Sequence, residues 1–118
     1  MTFMEKLIGK RDEIDIEEVL NSMDAEGEED AYQDADALVR PISLNADADK
    51  DMAIAEMKKG NLLLLNIADI AKRNPIKLRD FISQIKKEAE SINGDIARIS
   101  QDKVLVTPSR VKIVKSRK

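Results

Sequence analysis

The chain has no cysteine, no histidine and no tryptophan among its 118 residues, and only one tyrosine and two phenylalanines. Without cysteine it offers no disulfide, no thiolate nucleophile and no sulfur ligand for a metal. Without histidine it lacks the usual general base near neutral pH and the commonest metal ligand. A lysine- or carboxylate-based catalyst needs a group whose pKa is shifted by its surroundings, and no pair of carboxylates here sits in an apolar stretch. The sequence therefore predicts a non-enzyme with no metal site and no cofactor. Long apolar runs are missing as well. The run from Leu62 to Leu65 is far short of the roughly 20 residues that a spanning helix needs. Glu5, Lys6, Lys10 and Arg11 interrupt the first turns, so no secretory h-region is expected and the cytoplasm is the default location.

What is present is charge, unevenly spread. The net charge of −3 hides two opposed parts. Residues 1–36 hold thirteen acidic and three basic residues, a net of −10, while residues 37–118 hold ten acidic and seventeen basic, a net of +7. Residues 12–36, "DEIDIEEVLNSMDAEGEEDAYQDAD", are self-repelling and poor in bulky apolar side chains. They read as an acidic flexible linker, although the spacing of Ile16, Val19 and Leu20 admits a short helix around Ile14 to Leu20.

The globular core is expected over residues 37–118. "ALVRPISL" reads as a strand whose Pro41 marks an edge or a bulge. "DADKDMAIAEMKKG" reads as a helix capped by Asp47, with Ala48, Met52 and Ala55 on one face and Gly60 ending it. "NLLLLNI" fits a central strand buried on both faces. A second helix follows Asn74-Pro75, with Leu78, Phe81, Ile82, Ile85, Ala89 and Ile92 in one stripe. Asn93 and Gly94 are assigned to its C-terminal cap. "DIARIS" and "KVLVT" read as strands joined at Gln101-Asp102, and "RVKIV" as a last strand. The fold expected is α/β, an α+β sandwich in β-α-β-α-β-β-β order, with about five strands in a small mixed sheet and two helices on one face. Apolar groups on both faces of the later strands, with Ile96 and Leu105 on one and Ala97, Ile99 and Val106 on the other, point to self-association as a homodimer.

The stretch "NGDIARISQDKVLVTPSRVKI" resembles the C-terminal core of the SepF family, cell-division proteins that link FtsZ to the membrane. The matching residues are Gly94, Asp95, Ile96, Arg98, Val104, Leu105, Val106, Thr107 and Pro108, and "KGNLLLLNIADI" is similar to the family's second strand. Ser100 stands where bacterial members usually carry a turn glycine, and Val104 where they often carry an aromatic. Both departures make the chain similar to archaeal members; Ser100 implies a dimer rather than a polymer, and Val104 a partner pocket of different shape. The resemblance implies an adaptor that tethers FtsZ filaments to the inner face of the membrane at the division site. By the same resemblance, Arg98 and Val104 match positions that contact the FtsZ C-terminal peptide.

The opening segment fits that reading. In residues 1–11, Phe3, Met4, Leu7 and Ile8 fall on one side of a helical wheel with Met1 above them, while Glu5, Lys6 and Lys10 take the other. Such a helix can lie in the headgroup region with its lysines near anionic lipid. Four partly buried side chains, at no more than roughly 1.5–3 kcal/mol each, less the cost of ordering the helix, leave weak binding for one copy. Two copies in a dimer strengthen it through effective concentration. The alternative is a small basic dimer that binds nucleic acid through the +7 core and the tail "RVKIVKSRK". Against it, the core's one aromatic, Phe81, lies in the helix stripe and offers no stacking platform for bases.

Overall fold

The computed structural model describes residues 16–23 and 32–115. The residues expected to face the membrane, Met1, Phe3, Met4, Lys6, Leu7, Ile8 and Lys10, lie outside the described residues. The chain divides into two units, Met1–Asp34 and Ala35–Lys118. In the first, residues 16–22 are helical. Ile16, Val19, Leu20 and Met23 follow one another at i, i+3, i+4 and i+7 and are all exposed.

The second unit runs β1 (Val39–Ser43), α1 (Asp47–Lys58), β2 (Leu62–Asn66), α2 (Ala68–Arg73), α3 (Pro75–Ser91), β3 (Asp95–Ser100) and β4 (Lys103–Thr107). The sheet order is β1-β2-β4-β3, with β1 parallel to β2 and the other pairs antiparallel. Pro41 is tolerated because β1 is an edge. Leu62 N–H bonds Leu38 C=O and Leu44 N–H bonds Asn66 C=O, so even-numbered residues of β1 face β2 and the donor that Pro41 lacks would point outward.

The register puts Ile42, Leu63, Leu65, Val104, Val106 and Ile96 on one face of the sheet. Against them pack Ala53 and Met57 of α1, Ile70 of α2, and Phe81, Ile85 and Ala89 of α3. The opposite face carries Val39, Pro41, Leu62, Leu64, Leu105 and Ala97, all half-buried or exposed, while Ile99 is exposed at the bulge between Arg98 and Ser100. Two expectations are corrected here. β2 is central, yet Leu62 and Leu64 are only half-buried, because the helices cover one face alone. Leu105 also shares its face with Ala97, and Val106 with Ile96, since those are the registered partners.

Four further corrections concern the elements. The core face of α1 is Ala53, Glu56 and Met57, whereas Ala48, Met52 and Ala55 are exposed. The buried stripe includes a carboxylate that apolar patterning overlooks. Glu56 accepts from Lys59 at 3.1 Å and Asn61 at 2.9 Å and pairs with Arg40 at 3.4 Å. The Lys59 hydrogen bond leads the causes that hold its pKa below the ordinary value. Ala46 precedes α1 in the cap position and Asp47 is its first residue. The cap is completed by the Asp49 carboxylate, which accepts from Asn45 and Ala46 N–H at 3.0 Å. Among the described residues the core has three helices rather than two. α2 is six residues long, too short to show a period in sequence, and it contributes the fully buried Ile70.

The expected last strand, "RVKIV", is not a strand, so the sheet has four strands among the described residues. Arg110 takes a left-handed φ of 69°, and the tail amides find non-ladder partners. Arg110 N–H bonds Asn93 C=O and Ile113 N–H bonds the Asp95 carboxylate, both at 2.9 Å.

Candidate functional site

α3 begins on Asn74, whose side chain accepts from Lys77 N–H at 3.2 Å, with Pro75 as its first residue. It ends in a Schellman arrangement. Gly94 N–H bonds Ala89 C=O at 2.7 Å, Asn93 N–H bonds Glu90 C=O at 3.1 Å, and Asn93 supplies the left-handed residue at φ 62°. Gly94 lies where the helix end meets β4. A β-carbon there would stand 2.3 Å from Thr107 C=O.

This junction also anchors the tail. Thr107 is buried, and its hydroxyl donates to Val111 C=O. Asp95 accepts from Lys115 at 2.8 Å, from Ile113 N–H at 2.9 Å and from its neighbour Ile96 N–H at 2.8 Å. Those bonds, led by Lys115, hold its pKa far below the ordinary carboxylate value. A depressed value stabilises the fold above the unfolded pKa of about 4 and is lost as pH falls through the folded one. Thermal melts are accordingly expected to show an acid loss of stability below about pH 4, and Asp95→Asn to flatten that limb. A melt series whose acid limb is unaltered by the substitution would remove this role.

The α3 stripe is wider than the core requires. Phe81, Ile85 and Ala89 are buried, but Leu78 and Ile82 are half-buried and line a groove of about 360 Å³. Its other walls are Ile67, Ala71 of α2, Lys86 of α3, Ile96, Ala97 and Arg98 of β3, and Val104 of β4. That volume falls at the small end of ligand pockets, which run from roughly 300 to 1,000 Å³. The lining is apolar with two basic groups. Arg98 and Val104 are registered partners on the helix-covered face. Val104 is buried in the floor, and Arg98 stands exposed at the rim. The Arg98 guanidinium donates to Ser100 C=O at 3.1 Å and Gln101 C=O at 2.6 Å, crossing a bulge between Arg98 and Ser100.

The groove brings together two of the residues singled out in the sequence. Ser100 lies beside it at the β3–β4 turn, and Asn93 and Gly94 lie at the α3–β3 junction. Sequence reading missed Ile67, Ala71, Leu78, Ile82 and Lys86 as site residues. The available signal was the breadth of the α3 stripe, six apolar positions where the core uses three.

Comparison with known proteins places the fold. A family model described as "Cell division protein SepF" matches residues 37–113. A SepF-like protein from Pyrococcus furiosus superposes with a TM-score of 0.59 at 28% identity, covering 64% of this chain and 92% of that one. A SepF-like protein from Archaeoglobus fulgidus gives 0.63 at 24%, covering 68% and 95%. The fold is also that of cell division protein SepF from Methanobrevibacter smithii, solved in complex with FtsZ-CTD, with a TM-score of 0.60 at 14% identity and coverage of 67% and 99%. No curated protein sequence matches the chain. With most of its length matched by the family model and its core built to the same plan, this chain belongs to the SepF family of cell-division proteins.

Proposed function

We propose that this protein is a non-catalytic adaptor that holds FtsZ filaments at the cytoplasmic face of the membrane at the division site. Residues 1–11 grip anionic lipid as an amphipathic helix, residues 12–36 act as an acidic spacer, and the core over residues 37–118 holds the FtsZ C-terminal peptide. The observation that carries this reading is the groove, in which Arg98 and Val104 meet Leu78 and Ile82 on an apolar floor with a basic rim. The fold it shares with a SepF solved together with FtsZ-CTD supports the same assignment. An apolar cleft edged by cations suits a peptide that pairs aliphatic anchors with carboxylates.

The protein works as a homodimer in this reading. The sheet face away from α1, α2 and α3 presents Leu62, Leu64, Leu105 and Ala97 as one patch, a surface that a second copy would cover. Pairing also doubles the lipid grips per particle.

Calorimetric titration of the full chain with the C-terminal peptide of FtsZ from the same organism tests the reading. Saturable binding is expected. A flat titration by folded protein rejects it, and strong, salt-sensitive DNA binding in its place would favour the nucleic-acid alternative.

A further inference from the structure

β3 is an outer strand of the sheet, and its free edge borders the groove. Ile96 N–H is taken by the Asp95 carboxylate at 2.8 Å rather than by β4. Antiparallel pairing alternates, so Ile96 and Arg98 turn their backbone groups outward while Ala97 bonds Leu105. Ile96 C=O and the N–H and C=O of Arg98 therefore face away from β4. No backbone bond from another element reaches them among the described residues.

Both ends of this edge are closed. On one side, Asp95 is saturated by Ile96, Ile113 and Lys115, and Lys112 donates to Gly94 C=O at 2.9 Å. On the other, the bulge shifts the register, and the Arg98 guanidinium occupies the carbonyls of Ser100 and Gln101. What stays open is a short stretch from Ile96 to Arg98, and the side chains of both residues line the groove.

We infer that the peptide held in this groove binds as an extended strand added to β3, its backbone pairing with Ile96 and Arg98. The inference rests on the peptide-binding reading above and specifies the conformation of the partner. Alternate side chains of such a strand enter the groove between β3 and α3, toward Ile82 and Val104. An α-helix, roughly 10 Å across, satisfies its own backbone and would leave the β3 edge unpaired. Carboxylates on such an added strand would lie within the field of Arg98 and Lys86 with no charge buried.

The test is a backbone N-methyl scan of the FtsZ C-terminal peptide, titrated against the full-length protein. Two amides separated by one residue donate to Ile96 and Arg98. Methylation at either is expected to weaken binding by roughly fivefold or more, the loss of one hydrogen bond, while methylation of the amide between them is tolerated. Side-chain truncation should show the same two-residue period. Uniform tolerance, uniform loss, or a three-to-four-residue period typical of a helix overturns the added strand but leaves the peptide-binding reading standing. Failure of the unmethylated peptide to bind overturns both.

Discussion

Replacing Gly94 with alanine is expected to lower the melting temperature by on the order of 10–20 °C. The new β-carbon would lie 2.3 Å from Thr107 C=O, and 3.2 and 3.3 Å from the carbonyls of Pro108 and Ala89. All three neighbours are backbone, so no side-chain rotation relieves the overlap. Overpacking of this kind typically costs about 1–3 kcal/mol, with backbone clashes at the upper end. A domain of this size has a total stability of only about 5–10 kcal/mol. The strain falls where the end of α3, the start of β3 and the end of β4 meet, so it should also disturb the tail bound to Asp95. Gly60 offers a contrast. A β-carbon there meets nothing within 4 Å, and its penalty comes only from a φ of 101°. Gly60→Asn should therefore be milder than Gly94→Ala. Equal or reversed effects in a thermal melt would contradict the close-approach argument.

The second large effect concerns binding. Arg98→Glu is expected to weaken the FtsZ peptide by about ten- to a hundredfold, because it reverses a charge at the groove rim. Arg98→Lys should lose less, since it keeps the charge. The guanidinium also holds two exposed carbonyls of the β3–β4 turn, so a small drop in melting temperature is expected in both variants. Peptide affinity must fall much further for the glutamate than for the lysine. If both bind as the parent does, Arg98 is only a turn clamp. Ile82→Asp probes the groove from the α3 side, placing a carboxylate on a half-buried wall, and should weaken the peptide without reaching the buried positions Phe81 and Ile85.

Much of the fold was legible in the residues. The Asn74-Pro75 start of α3, its six-residue stripe and the edge position of Pro41 follow from local stereochemistry that tertiary packing did not override. The misreadings have physical causes. Glu56 reads as a surface residue, but Lys59, Asn61 and Arg40 together make its burial tolerable, which rotates the core face of α1 away from Met52. Residues 110–114 have the composition of a strand. Their amides are claimed instead by Asp95 and Asn93, and no local pattern announces a carboxylate eighteen positions away. The groove was half visible. Arg98 and Val104 follow from the resemblance, whereas Leu78 and Ile82 stand in the stripe and read as core from spacing alone. Only the three-dimensional arrangement separates the side of α3 that seals the core from the side that borders β3.

The central claim is that one molecule connects lipid to FtsZ. Flotation of liposomes containing anionic lipid, mixed with FtsZ and this protein, tests it most directly. FtsZ should rise with the vesicles only when the full chain is present, and should stay behind with Arg98→Glu or with a chain beginning at Asp12. Vesicles that carry this protein upward and leave FtsZ at the bottom of the gradient, or that leave both there, would contradict the account.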